Sequence, residues 1–190
     1  VKYAIKIMRL SSMGSGDKEN IEKEIEIHSS IDSPHVVKLV DFFEENGMIY
    51  MILELMTKGN LYQYMYKQFP LSQKDALKFW RGTVQAIEYL HSLDIYMRDL
   101  KSENVLLDES LNVQICDFGW ASRMDDIEYR KLQGGTYVYM SPESLRGELQ
   151  DLSSDIWALG VLLFELIHYH EPYKIGLSSK EQLKIIQEND

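Results

Sequence analysis

The spacing of apolar residues divides the chain into a first part rich in strands and a longer part rich in helices. Short apolar runs predict strands at 1–8, 36–43 and 48–53, and the Asn46-Gly47 pair between the last two is typical of a hairpin turn. A helix is expected from 17 to about 31. We interpret residues 56–59, between the two parts, as a hinge.

The second part shows the periodicity of helices. A short helix is expected at 59–69, and the next should begin at Ser72, which forms a capping-box-like pair with Asp75. Residues 153–167 are apolar nearly all round, which predicts a buried central helix. A last helix is expected to open at 178–181.

A short apolar hairpin has polar side chains at both of its open ends. Strands are predicted at 105–107 and 113–115, so Asn104 stands before the first strand and Asp117 follows the second. Because antiparallel pairing brings these ends together, an amide oxygen and a carboxylate should converge. Such hard oxygen ligands suit Mg²⁺, which fills its shell with water and phosphate oxygens. Asp99 lies close enough along the chain to act as a base beside that metal.

Charge and composition narrow the expected partners. The net charge is −10, so a phosphate site must be built locally from a few cations, and nucleic acid is not expected as a partner. No apolar run is long enough for a membrane, and the opening strand pattern leaves no signal peptide visible. The single cysteine, Cys116, cannot form an internal disulfide, which fits a reducing compartment, cytoplasmic or nuclear.

Five motifs follow one another along the chain. Residues 97–104 are Met-Arg-Asp-Leu-Lys-Ser-Glu-Asn, and residues 117–119 are Asp-Phe-Gly. Residues 1–6 are Val-Lys-Tyr-Ala-Ile-Lys, residues 141–143 are Ser-Pro-Glu, and residues 155–160 are Asp-Ile-Trp-Ala-Leu-Gly. In this order and spacing they resemble the motifs of the eukaryotic protein kinases.

The resemblance covers the whole chain and implies an α+β, two-lobed protein-kinase-like fold that is truncated at both ends. Residues 1–55 would form a partial small lobe, residues 56–59 the hinge, and residues 60–190 a partial large lobe. The glycine-rich loop that covers the phosphates in kinases would lie outside this chain.

The resemblance also implies an ATP site between the lobes. Lys6 should contact the α- and β-phosphates and pair with a glutamate of the following helix. Glu24 is preferred to its neighbours Glu22 and Glu26, because it shares the inward helix face with apolar residues.

The adenine ring would lie between Ala4 and Leu106. The backbone from Glu54 to Met56 should hydrogen-bond its edge, and Leu53 resembles the residue that limits access to the pocket behind it.

The catalytic roles follow from the same resemblance. Asp99 should accept the proton of the substrate hydroxyl, and Lys101 should meet the γ-phosphate, as in serine/threonine kinases. Asn104 and Asp117 should hold Mg²⁺, so the expected cofactors are ATP and Mg²⁺. Gly119 should allow the backbone to turn after the metal ligand.

The expected partners are protein substrates. Glu103 matches a position that binds an arginine before the phosphosite in many kinases, which suggests basic substrate motifs. An activating partner cannot be named from the sequence. Trp120 and the stretches 24–39 and 48–55 look most like the Aurora kinases.

Two departures from the family pattern carry information. Met97 replaces a histidine of the catalytic loop, in a slot that a flexible methionine can fill. Kinases with an arginine before the catalytic aspartate, which is Arg98 here, usually carry a phosphorylated Thr or Ser in the activation segment. Leu132 occupies that position, and leucine cannot be phosphorylated. The remaining candidates for phosphorylation are Ser122 and Tyr129. Permanent charge for Arg98 could come from the loop acids, which are Asp125, Asp126 and Glu128.

Two alternatives to an active kinase remain. A pseudokinase, which keeps the fold as a binding module, should lack Lys6, Asp99 or Asp117, and all three are present. The chain could also be a non-catalytic piece as it stands, since its resemblance starts after the glycine-rich loop.

Overall fold

The structure, a computed structural model, describes residues 2–10, 15–173 and 176–188. Its first part combines one antiparallel sheet with a long helix. The elements, in chain order, are β1 (Tyr3–Arg9), α1 (Ser15–Ser29), β2 (Leu39–Glu45) and β3 (Met48–Glu54). Strand β3 lies between the other two, so the order is β1-β3-β2. Val1, which belongs to the first predicted strand, lies outside the described residues.

The β2–β3 hairpin turns at Asn46 and Gly47, as the sequence predicts. Their φ angles are 51° and 72°, the positive values that Asn-Gly favours in tight hairpin turns. Strand β2 begins at Leu39, later than expected, because the residues before it pair with the second part of the chain. The amide of Val37 donates to the carbonyl oxygen of Ile115 at 2.9 Å, which ties the two parts together.

The second part of the described chain is mainly helical. Its helices are α2 (Leu61–Lys67), α3 (Gln73–Ser92), α4 (Ile127–Arg130), α5 (Pro142–Leu145), α6 (Leu152–His168) and α7 (Ser179–Glu188). Its strands are β4 (Ile95–Tyr96), β5 (Val105–Leu107), β6 (Val113–Ile115) and β7 (Ser122–Arg123), of which β4 pairs with β7 and β5 with β6. Among the described residues, none of the helices has both the length and the apolar character needed to cross a bilayer.

Helix α3 begins where the sequence predicts. The Ser72 hydroxyl accepts the amide of Asp75 at 3.0 Å and donates to its carboxylate at 2.6 Å, so the cap satisfies an amide that has no partner within the helix. The buried face of α3 consists of Ala76, Phe79, Thr83, Ala86, Ile87 and Leu90. The Trp80 indole donates to the Leu159 carbonyl at 3.1 Å, so the main core lies between α3 and α6.

Helix α6 is a helix of the main core, as predicted, but only one side of it is buried. Leu162 and Leu166 are buried, whereas Ile156 and Ile167 are 54% and 57% exposed. In the described chain, α6 packs mainly against α3 and the turn at Tyr137–Tyr139. Apolar residues on every face permit complete burial, but neighbouring elements have to provide it.

Glu165 of α6 is an acidic side chain inside this core. It is 2% exposed, and it accepts hydrogen bonds from the Ser102 hydroxyl at 2.9 Å and from the Tyr139 phenol. Burial raises the pKa of Glu165 to about 7, and the two hydrogen bonds offset only part of that effect. The protonated carboxyl is therefore favoured by the folded state.

Replacing Glu165 with glutamine should remove a pH dependence of stability. The pKa of a glutamate is about 4.3 in the unfolded chain, and that of Glu165 rises to about 7 on folding. The stabilisation that the protonated carboxyl gives to the folded state is complete at a pH below the pKa of the unfolded chain. It is lost as the pH rises through the pKa of the folded protein. Wild-type protein should therefore lose about 1.4 kcal/mol per pH unit relative to Glu165→Gln between roughly pH 5 and 7. Urea unfolding at several pH values measures this difference, and a difference that is constant with pH would contradict the prediction.

Candidate active site

The β5–β6 hairpin brings its two polar ends together, as the sequence predicts. Val105 pairs with Ile115, and the amide of Cys116 donates to the carbonyl oxygen of Asn104 at 2.9 Å. This bond extends the ladder by one step and sets Asn104 beside the residues that lead into Asp117. Residues 102–104 form a 3₁₀ turn that carries Asn104 into the ladder.

Lys6 joins the sheet to this hairpin. Its Nζ lies 2.6 Å from Oε1 of Glu24 and 2.9 Å from Oδ1 of Asp117. The alternation of β1 directs Lys6 inward, and Glu24 is 4% exposed, whereas Glu22 and Glu26 are exposed. Of the three glutamates considered from the sequence, Glu24 is thus the one that pairs with Lys6.

The three charged groups shift one another's pKa values. Burial opposes the charge of Lys6, but the carboxylates of Glu24 and Asp117 outweigh it and raise the lysine pKa. Burial raises the pKa of Glu24, an effect that Lys6 only partly offsets. Burial also acts on Asp117, but the attraction of Lys6 prevails and lowers its pKa. A charged lysine and an ionised Asp117 therefore face each other in the cleft.

Asp99 lies in a small polar cluster. It is 7% exposed, and its carboxylate accepts from Lys101 Nζ at 2.7 Å and from the Thr136 hydroxyl at 2.8 Å. Lys101 also donates to the Thr136 hydroxyl at 2.8 Å. The amide nitrogen of Asn104 donates to the main-chain oxygen of Asp99 at 2.9 Å, so Asn104 connects this cluster to the hairpin.

The loop that carries Asp99 is anchored to helix α6 by Asp155. This carboxylate is 1% exposed and accepts the amides of Met97 at 2.9 Å and Arg98 at 2.8 Å, while His91 lies 2.8 Å from it. Arg98 takes a left-handed conformation with a φ of 63°. The sequence indicated Asp155 as part of a helix motif but not this anchoring contact. An acidic residue in the first turn of an apolar helix was the available signal.

Phe118, which follows Asp117 in the chain, packs against His28. Their ring centroids are 4.8 Å apart, and both side chains are buried. The His28 Nε2 atom lies 2.6 Å from the Val37 oxygen, and burial lowers the pKa of His28, so the imidazole has a packing role. Gly119 lies in the turn that follows Asp117, as expected, and the amide of Ala121 closes this turn on the Phe118 carbonyl oxygen at 3.0 Å. The left-handed residue is Asp117 itself, with a φ of 67°.

The residues expected around adenine lie on β1, at and just after the end of β3, and on β5. Ala4 shares the inward face of β1 and pairs in register with Leu53. Leu106 is half-buried on β5, Met56 is buried, and Glu54 is exposed at the end of β3. The segment after Met56 is bonded to β5 in both directions, through Lys58 N to Leu107 O at 3.1 Å and Leu107 N to Gly59 O at 2.9 Å. The expected hinge is therefore attached directly to the hairpin.

The oxygens of Asn104 and Asp117 fit a hard divalent cation such as Mg²⁺. Because the Asn104 amide nitrogen bonds to Asp99, its amide oxygen is the atom that can accept a cation. Within the described residues, no group of three or more His, Cys, Asp or Glu side chains could hold a metal ion by itself. An ion at the hairpin ends would therefore need oxygens from water and from a bound phosphate.

Cys116 does not belong to the reactive groups of the site. Burial raises the pKa of its thiol to about 12, so the thiol stays protonated at neutral pH and is a poor nucleophile. It fills space beneath Asn104 and Asp117.

The loop acids that could supply charge to Arg98 have other ion-pair partners or face solvent. Asp126 pairs with Lys23 of helix α1 at 2.7 Å, and Glu128 pairs with a neighbouring lysine on the surface. Asp125 is exposed. The guanidinium of Arg98 bonds to uncharged oxygens and not to any of these acids. Burial lowers the pKa of Arg98, and the charge of Asp126 acts through space against that effect, so a permanent charge from Asp126 stays a prediction.

Comparisons with known proteins agree with this geometry. A family model described as the protein kinase domain matches residues 1–189. NUAK family SNF1-like kinase 1 is 35% identical over 175 residues in both Mus musculus and Homo sapiens, which is 92% of this chain and 26% of each relative. Serine/threonine-protein kinase PLK4 of Drosophila virilis is 33% identical over 177 residues, 92% of this chain and 23% of that protein.

The chain thus spans about a quarter of the length of these relatives. The similarity to Aurora kinases in particular stays a prediction. The matching family model, the relatives and the two-part fold around Lys6 and Asp117 lead to one conclusion: the chain belongs to the protein kinase domain family.

Proposed function

We propose that this chain carries the active site of a serine/threonine protein kinase, which transfers the γ-phosphate of ATP to Ser and Thr hydroxyls of protein substrates. The observation that supports this most directly is the connected set of Lys6, Asp99, Lys101, Asn104 and Asp117. The lysine, the base and the metal ligands that phosphoryl transfer requires from a kinase are in contact or linked through one hairpin.

Lys6 is the proposed phosphate ligand from the sheet. Glu24 holds its ammonium group at 2.6 Å, which fixes the side chain toward the hairpin. The bond to Asp117 can be exchanged for a bond to a phosphate oxygen while the Glu24 bond is kept. This arrangement suits the neutralisation of charge on the α- and β-phosphates.

Asn104 and Asp117 are the proposed ligands of Mg²⁺, which when bound would neutralise charge on the ATP phosphates. Their role in the site is to offer two oxygens from fixed backbone positions. The ladder bond at Asn104 and the left-handed conformation of Asp117 set those positions.

Asp99 is the proposed acceptor of the substrate proton. Its carboxylate already accepts an aliphatic hydroxyl, that of Thr136, at 2.8 Å, which supports its capacity to orient a Ser or Thr hydroxyl. Lys101 lies 2.7 Å from the same carboxylate and can balance the charge of the transferred phosphate. The lysine at this position also supports serine/threonine rather than tyrosine specificity.

Residues around the proposed catalytic groups would recognise the adenine ring and the protein substrate. Ala4 and Leu106 would pack on the two faces of the ring, and the backbone from Glu54 to Met56 would bond its edge. Glu103 is exposed beside the catalytic loop, which supports protein substrates with a basic residue before the phosphosite. The lone cysteine and the expected reducing compartment favour action in the cytoplasm or nucleus.

Asp99→Asn should slow phosphate transfer strongly while nucleotide binding persists. Loss of a general base typically costs about 10²- to 10⁴-fold in rate, so kcat should fall within that range with little change in ATP affinity. Transfer of labelled γ-phosphate to a Ser/Thr peptide, by the longest protein that contains this chain and by the chain alone, measures kcat. Asp94→Asn serves as a control, because Asp94 is an exposed turn residue of the same type. Nucleotide binding without transfer by any form of the wild-type protein would instead indicate a pseudokinase.

Lys6→Met should weaken the interaction with ATP. Hydrogen bonds to charged groups contribute about 1.5–3 kcal/mol, so kcat/KM for ATP should fall by roughly 10- to 100-fold. Glu24→Gln should cause a smaller loss, because it removes the partner that orients the lysine and not the lysine itself. Steady-state kinetics with varied ATP measure both effects, and Lys2→Met, at an exposed residue just before β1, should leave kcat/KM unchanged. Equal kinetics for Lys6→Met and Lys2→Met would contradict the assigned role.

A further inference from the structure

The guanidinium of Arg98 is buried and bonded to uncharged oxygens. Arg98 is 7% exposed, and its Nε donates to the Gln150 side-chain oxygen at 2.8 Å. Its terminal nitrogens donate to the carbonyl oxygens of Tyr129 at 3.1 Å, Trp120 at 3.3 Å and Leu132 at 2.5 Å. Because arginine offers five N–H donors and no acceptor, this set of oxygens satisfies most of the donors with uncharged acceptors. The carboxylates of Asp155 and Asp126 act on the guanidinium only through space.

A second buried arginine completes the arrangement. Arg130 is 8% exposed, and it donates to the main-chain oxygen of Gln150 at 2.8 Å and to that of Met124 at 2.6 Å. Its guanidinium also lies 4.9 Å from the centre of the Tyr96 ring. Gln150 therefore holds both arginines, one through its side chain and one through its backbone. We call Arg98, Arg130 and Gln150 the arginine clasp.

The hydroxyls near the clasp are poorly placed for phosphorylation. Ser122 is 1% exposed, and Tyr129 is 5% exposed with its phenol donating to the Gly119 carbonyl at 3.0 Å. Thr136 is held by Asp99. The position closest to Arg98 along the segment is Leu132, which has no hydroxyl.

The clasp is connected to the proposed catalytic base. Gly135, with a φ of 106°, packs so closely on the Arg98 carbonyl that a Cβ atom there would lie 2.8 Å from this oxygen. The next residue, Thr136, bonds to Asp99. The end of the segment 120–136 therefore contacts the backbone of Arg98 and the side chain of Asp99. Its middle accepts hydrogen bonds from the guanidinium of Arg98.

We propose that the arginine clasp holds the segment from Trp120 to Thr136 in place for substrate binding without any phosphate, and that Gln150 is the positioning residue that acts through Arg98. This inference rests on the proposed kinase function and adds its regulation: phosphate transfer does not depend on phosphorylation of this segment. The carbonyl oxygens and the Gln150 amide oxygen accept the hydrogen bonds that the buried Arg98 would otherwise donate to a charged phosphate.

Phosphatase treatment tests the independence from phosphate. The protein is stripped of phosphate, its mass is checked, and its first turnovers on a peptide are timed. We expect a rate within about twofold of the untreated protein, because both arginines of the clasp already bond to oxygens of the protein and do not need a phosphate as partner. A loss of about tenfold or more, reversed by phosphorylation of the segment, would overturn the inference while leaving the kinase function intact.

Variants of Gln150 test its positioning role. Gln150→Ala should lower kcat by about tenfold with little change in KM for ATP, because the nucleotide ligands do not touch the clasp. Gln150→Glu should restore kcat, since a carboxylate oxygen can accept the same bond from Arg98. Leu132→Ala is the matched control, because Arg98 bonds to the main chain of Leu132 and its side chain is exposed. Equal kcat for Gln150→Ala and Leu132→Ala would overturn the role of Gln150.

Hydrogen exchange gives a readout that does not need activity. The amides of Arg130 and Leu132 are bonded within the segment at 3.0 and 3.1 Å. They should be protected in phosphate-free wild-type protein and exchange faster in Gln150→Ala. Rapid exchange in phosphate-free wild type would overturn the inference even if no transfer is detected. Protection without transfer, in phosphorylated and phosphate-free protein alike, would uphold the clasp and count against the proposed function.

Discussion

The buried carboxylate of Asp155 fixes the backbone on which the whole site depends. It accepts two consecutive amides, those of Met97 and Arg98, and thereby binds the catalytic loop to the core helix α6. A buried carboxylate is costly unless donors satisfy it, so this loop has little freedom to move away. The left-handed conformation of Arg98 lets the neighbouring side chains of Arg98 and Asp99 point to different partners. The carboxylate of Asp99 meets Lys101 and Thr136, while the guanidinium of Arg98 enters the arginine clasp.

Two polar contacts join the sheet to the helical part. In a chain with a net charge of −10, Lys6 and Lys101 provide local positive charge where phosphates would lie. Lys6 reaches across to Asp117 from β1, and the Val37–Ile115 bond holds the sheet against the hairpin below it. The polar site therefore combines residues of the sheet with residues of the β5–β6 hairpin. The register of that hairpin determines the positions of Asn104 and Asp117.

Features with a local signal could be predicted from the sequence. The Asn46-Gly47 turn, the Ser72 cap and the β5–β6 hairpin each follow from a few neighbouring residues, and the inward helix face was enough to select Glu24. Features produced by distant neighbours could not. The exposure of Ile156 depends on which elements cover α6, and the pairing of Asp126 with Lys23 depends on where helix α1 lies. Gln150 had no signal at all, since a glutamine in a loop becomes significant only when Arg98 is seen beside it.

In the proposed function, Asn104 and Asp117 form, opposite Lys6, a site for a metal-bound nucleotide. Calorimetric titration with ATP, with and without Mg²⁺, tests it most directly, with wild type compared with Asp117→Asn and with Asp108→Asn at the far end of the same hairpin. We expect Mg²⁺ to strengthen ATP binding by about tenfold or more in wild type and Asp108→Asn, and Asp117→Asn to lose this gain. The same Mg²⁺ dependence in all three proteins would contradict it.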